Sequence, residues 1–145
     1  MAYCWGGDLE NKMDDNSGWK GVVKNYNDVK AKIFKVAHHG SANGNNSEIW
    51  SKLLQNLPIS ILTTFNKGKK LPSENDIKRI LELSNNLFII GRQGKRNKNI
   101  ERLANKTINN IIVTSISQDV GLVRYRYNLE TGEEKLECFG EVKKY

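Results

Sequence analysis

Histidine, cysteine, proline and methionine are all scarce in this chain, each occurring twice in 145 residues. Two cysteines, Cys4 and Cys138, are too few for a disulfide framework, and the sequence predicts reduced thiols in a cytoplasmic setting. Two prolines exclude collagen-like and proline-rich readings. No stretch approaches the roughly 18 consecutive apolar residues that a membrane-spanning helix needs, so no membrane is expected as a partner. The opening residues, Met1 to Asp8, lack the basic start and long apolar stretch of an export signal. Acidic residues are also short: 16 Asp and Glu against 23 Lys and Arg leave a net charge of +7. That balance favours anionic partners such as nucleic acid, and it equally serves plain solubility. With 38% hydrophobic and 27% charged residues, the chain reads as one globular domain spanning 1–145.

Strand and helix signals alternate along it. Residues 2–5 read as a short strand ending at Gly6-Gly7. Residues 14–26 read as a helix with Ser17 as a nearby N-cap, because Trp19, Val22, Val23 and Tyr26 recur at helical spacing. Residues 31–37 form the next strand, leading into His38-His39-Gly40-Ser41. A glycine- and asparagine-rich loop over 41–46 precedes a helix over 47–55, capped by Ser47 and broken by Pro58. A strand at 59–65, a basic loop at 66–70 and a helix opening at Pro72-Ser73-Glu74 follow. Ser73 and Asp76 fit a loose capping box, and Ile77, Ile80 and Leu81 should face inward. Leu87 to Ile90 is apolar throughout, as for a strand buried on both faces. A basic loop at 92–99, a short helix at 100–105, a strand at 111–115 and a hairpin of 120–129 with 135–139 complete the reading. The fold class is α/β with a C-terminal β-hairpin.

Two motifs carry chemistry. Gly6-Gly7-Asp8-Leu9-Glu10 and Lys35-Val36-Ala37-His38-His39-Gly40-Ser41 each follow a strand. A carboxylate at one strand end and a histidine at a neighbouring one can meet on the rim where open α/β sheets place ligands. Oxygen and nitrogen donors together suit Zn, Mn or Fe. Consecutive residues of an extended strand face opposite ways, so His38 and His39 can serve one ion only if the strand has already turned.

The pair of motifs resembles the metallo-β-lactamase fold family, most of all the hydrolase domains of DNA-uptake competence proteins and their soluble relatives. The resemblance covers about residues 2 to 92. It implies that Asp8 bridges two metals and that His38 or His39 supplies the last histidine ligand, with Asp8 and His38 catalytic. It further implies a helix, a strand and a loop holding Asn66, then Leu71-Pro72 opening a helix, with Leu71 where relatives carry histidine. The family's His-x-His-x-Asp-His signature is absent, since the only two histidines are adjacent. The expectation is therefore the C-terminal half of an αβ/βα sandwich, a domain lacking its N-terminal half. Zn or Mn binding would be weak in this chain alone, and a partner chain or the missing half would supply the other ligands. The parent activity would be metal-dependent hydrolysis of phosphodiesters, with Ser41, Asn66, Lys69 and Lys70 as substrate contacts. The alternative is a non-catalytic remnant that binds nucleic acid or a partner.

Plainer readings stand beside these. Asp8 and Ser41 suit turns. Glu10 reads as an exposed charge, and one of the two histidines as packing or support. Lysine-rich loops are commonly just solvated. Tyr125 and Tyr127, beside Arg124 and Arg126, could stack bases or belong to an ordinary half-buried strand. Trp19 and Trp50 read as core.

Overall fold

The computed structural model describes residues 2–26, 30–84, 86–92, 107–108, 111–112 and 120–145. Four parallel strands lie in chain order: β1 (Tyr3–Trp5), β2 (Ala31–Lys35), β3 (Leu54–Thr63) and β4 (Asn86–Ile90). Two short strands, β5 (Thr107–Ile108) and β6 (Ile111–Ile112), pair antiparallel. β7 (Gly121–Tyr127) and β8 (Glu134–Gly140) form an antiparallel hairpin, and β9 (Val142–Lys144) adds antiparallel to β4 as the fifth strand of the main sheet. The helices are α1 (Gly18–Asn25) and α2 (Glu74–Leu81), with a π-helical turn at Ile49–Leu53.

Sequential parallel strands joined by crossovers of one hand carry all their helices on one face. The core shows this: Trp19 and Val23 of α1, Ile49 and Leu53 of the π turn and Ile80 of α2 pack with Phe34, Leu62, Leu87 and Ile89. Phe34 lies between two indoles, edge-on to Trp19 at 6.2 Å and to Trp50 at 5.1 Å. The opposite face meets the β7–β8 hairpin. Tyr125 sits edge-on to Tyr3, Lys32 pairs with Glu134, and Leu136 and Cys138 line a cleft with Ile59 and Phe88. Phe88 and Leu87 are both buried, as the apolar run over β4 requires. Among the described residues no helix is long and apolar enough to cross a membrane. Both cysteines are free, and burial raises the Cys4 thiol above its usual pKa.

Several boundaries differ from expectation. α1 begins at Gly18 rather than 14, because Asp14 to Ser17 form a turn in which the Asp14 carboxylate accepts from Asn16 N–H. Tyr26 lies past the helix end and is exposed. The helix expected over 47–55 is a π turn that gives way to strand at Leu54, and Pro58 lies inside β3. Leu54 already pairs with Ala31, whereas Ile59 pairs with Ile33, so the intervening residues bulge out through a left-handed Leu57 at φ 51°. That bulge lets β3 accommodate a proline without losing its place in the sheet. β2 stops at Lys35, two residues early, where the chain turns toward the histidines. On α2 the capping box forms as read, with Ser73 Oγ accepting from Asp76 N–H at 3.2 Å and Asp76 Oδ2 accepting from Ser73 N–H at 2.9 Å. Ile80 is buried, but Leu81 faces outward. The expected helix at 100–105 and most of the basic loop at 92–99 lie outside the described residues.

Candidate metal and phosphate rim

The C-terminal ends of the parallel strands carry the candidate residues. After β1 the chain turns at Gly6-Gly7, with Leu9 N–H donating to Gly6 O, and Asp8 is exposed at this turn. After β2 the chain enters a left-handed turn at His38 (φ 45°) and His39 (φ 53°), continued by Gly40 (φ 81°). Left-handed backbone at two consecutive non-glycine residues carries strain, which persists only where the surroundings hold it. Here His38 N–H donates to Gly7 O at 2.8 Å, and Gly6 N–H donates to Lys35 O at 2.9 Å, binding the two turns together. Arg79 of α2 donates to Gly40 O at 2.6 Å from a guanidinium that also pairs with Asp76 at 2.9 Å. Gly40 is required twice over, for its positive φ and because a Cβ would lie 3.1 Å from Ile80 and Leu62 side-chain carbons.

The left-handed turn removes the strand geometry that would set the two rings on opposite faces. Their centroids are 6.5 Å apart. His38 Nδ1 lies 2.8 Å from Glu10 Oε1, an ion-pair distance but out of line for a hydrogen bond. Glu10 is thus half-buried against His38 rather than a free surface charge, and Asn43 Nδ2 donates to the same Oε1 at 2.8 Å. His39 Nδ1 is 2.9 Å from Thr63 O at the end of β3. A carbonyl only accepts, so Nδ1 of His39 carries a proton, and in the neutral ring Nε2 carries the lone pair. A carboxylate or carbonyl at Nδ1 is the usual arrangement that turns Nε2 toward a metal or substrate. His39 has it, whereas His38 Nδ1 has only the nearby Glu10 charge.

Phe65, just past β3, packs on the His39 ring at 5.1 Å, and its backbone exchanges hydrogen bonds with Leu71. The loop between them, Asn66 to Lys70, is therefore anchored beside His39 and carries Lys67, Lys69 and Lys70, all exposed. Asn66 Nδ2 donates to Arg92 O at 2.9 Å, joining this loop to the end of β4. Ser41 Oγ donates to Asn43 Oδ1 within its own turn, and Asn43 reaches on to Glu10. Lys35, at the end of β2, is pushed below the usual lysine pKa by burial, partly countered by the charge of Asp8.

The structure brings His38, His39 and the basic loop to one rim and adds Glu10, Thr63, Asn43 and Arg79, which were not foreseen as contributors. Glu10 had a signal, its place two residues after Asp8 in the motif. Thr63 and Arg79 had none, because their contacts cross elements. Among the described residues no group of three His, Cys, Asp or Glu side chains stands close enough to hold a metal ion. The pleat of β7 separates the tyrosines from the arginines: Tyr125 packs on Tyr3 of the main sheet, while Arg124 and Arg126 share Glu137 with Lys135. Comparison with protein-family models, with curated proteins and with solved structures finds no match to this chain.

Proposed function

We propose that this rim is part of the metal centre of a hydrolase of the metallo-β-lactamase type, acting on phosphodiesters of nucleic acid. The observation that carries the reading is the strained His38-His39 turn, in which His39 Nδ1 meets Thr63 O, leaving its Nε2 as the donor, and the His38 ring lies beside the Glu10 carboxylate. Imidazole Nε2 with a nearby carboxylate is a donor set that Zn or Mn accepts. In this reading His38 and Asp8 would be ligands, Glu10 a charge beside the His38 ring, and His39 a second donor or support. Divalent metal at such a centre supplies Lewis acidity and a water of lowered pKa. The protein's own part is to hold donors and phosphate: Lys69 and Lys70 would neutralise the backbone of the substrate, with Asn66 and Ser41 shaping the rim.

The donors described here are too few for a closed catalytic site, which normally has three protein ligands and an open position. The remaining ligands would come from another segment or chain. The same shortage favours the second reading, a binding module without turnover.

Calorimetric titration with Zn²⁺ and Mn²⁺, together with cleavage of an oligonucleotide, tests the proposal. Weak metal binding that is lost in His38→Ala and reduced in Asp8→Ala is expected, with little turnover. Binding unchanged in both variants would refute the metal assignment. Efficient cleavage abolished by Asp8→Ala would show the site to be complete in itself.

A further inference from the structure

The chain has three tryptophans, and two are accounted for by the core. Trp19 is 1% exposed, and Trp50 packs on Phe34 with its Nε1 donating to Asn45 Oδ1 at 2.9 Å. Trp5 is 76% exposed. A large apolar side chain left this open is the informative kind of exception when it lies beside a candidate site. Trp5 is the last residue of β1 and stands three positions before Asp8. Cys4 packs toward the helix-covered core, so Tyr3 and Trp5 face the other way. Tyr3, two residues back on the same face, is 58% exposed and already has an aromatic neighbour in Tyr125. Trp5 is in register with Lys35 on β2, and beyond it the chain turns through Gly7, around whose Cβ position nothing lies within 4 Å. At 76% exposure most of the indole surface is open to solvent, and Lys35 is its register neighbour on the adjacent strand.

We propose that Trp5 is a base-stacking platform for single-stranded nucleic acid, holding one base beside the rim while the lysines of the 66–70 loop hold phosphates. An aromatic platform flanked by cations is how single strands are bound without sequence choice, and bases inside a duplex offer no free face to it. Charge selects this occupant over a second copy of the chain: pairing two β1 edges would bring two bodies of net charge +7 together, whereas a polyanion is attracted. The proposal deepens the reading of the rim as a phosphodiester site, yet stacking needs no metal, so the two can fail separately.

The test is tryptophan fluorescence of the intact chain titrated with a thymidine 20-mer at low salt in chelator, with Trp5→Phe and Trp5→Ala as variants. Circular dichroism confirms that both fold, as expected for so exposed a side chain. Saturating oligonucleotide should quench the emission by up to the share of one indole in three. Trp5→Ala should weaken binding about tenfold, within the range measured for loss of a stacked base, and Trp5→Phe by less. Inorganic polyphosphate should bind through the lysines without quenching. Equal affinity of wild type and Trp5→Ala, or no quenching at saturation, would overturn the proposal. So would a Trp5 emission shift that grows with protein concentration alone, which would make the surface a contact between copies. Absence of Zn²⁺ and Mn²⁺ binding with quenching intact would count against the hydrolase reading only.

Discussion

Gly6→Ala is the substitution through which the structure makes its sharpest demand. Gly6 has an ordinary backbone conformation, so alanine is not excluded by φ. Space excludes it: a Cβ there would lie 2.7 Å from Ala37 N and 2.8 Å from Ala37 Cα and Cβ. Carbon contacts are comfortable at about 3.5–4.0 Å, so the turns after β1 and β2 would have to part by roughly 0.8 Å. Overpacking of this kind costs about 1–3 kcal/mol. The hydrogen bonds Gly6 N–H to Lys35 O and His38 N–H to Gly7 O cross the same gap and would stretch with it. Each is worth about 0.5–1.5 kcal/mol net, and stretching forfeits only part of that, which brings the expected loss to about 2–4 kcal/mol. For a chain of this size that corresponds to a fall in Tm of about 5–15 °C. The neighbouring Gly7 reverses the logic, having φ +52° and nothing within 4 Å of its Cβ position. Asparagine tolerates left-handed backbone, so Gly7→Asn should melt within about 3 °C of the wild type. Thermal unfolding followed by circular dichroism measures both. A Gly6→Ala protein that melts with the wild type, or above Gly7→Asn, would refute the close approach that holds Asp8 and His38 on one rim.

Two further outcomes follow from buried polar contacts. Trp19→Phe removes the indole N–H that donates to Gly44 O at 2.8 Å and leaves that carbonyl unpaired in the core. The expected cost is about 2–4 kcal/mol in urea denaturation, and Trp50→Phe, whose indole is only partly buried, should cost clearly less. Burial pushes the Asp76 carboxyl up, but the Ser73 hydrogen bonds and the Arg79 guanidinium outweigh it and hold the pKa below the usual aspartate value. A depressed folded pKa stabilises fully above the unfolded value of about 3.9 and loses that contribution as pH falls through the folded one. Asp76→Asn should therefore cost about 1–2 kcal/mol at neutral pH and reduce the loss of stability below about pH 4. Denaturation midpoints across that interval check it, and parallel acid profiles for the two proteins would count against the assignment.

Local rules were enough for much of the framework. The Ser73–Asp76 capping box, the doubly buried β4 and the β7–β8 hairpin each depend on residues within a few positions of one another, and each formed. The two motifs were legible because their residues are contiguous. Local rules failed where a distant strand overrode them. Residues 47–55 carry a helical pattern, yet Leu54 is captured by Ala31 of β2, and the surplus length is spent in a bulge around Leu57. Glu10 reads as a surface charge until β1 and β2 lie side by side and place His38 2.8 Å from it.

By itself, then, the sequence determined the alternation of strands and helices, the basic charge and the presence of one acidic and one histidine motif at strand ends. The tertiary structure alone decided which ring nitrogens are engaged, that Arg79 pins Gly40, and that Trp5 is the indole left open to solvent. The physical reason is range. Periodicity and capping act between residues three or four apart, whereas these contacts join residues from different elements and exist only once the parallel sheet has set its strand order and register.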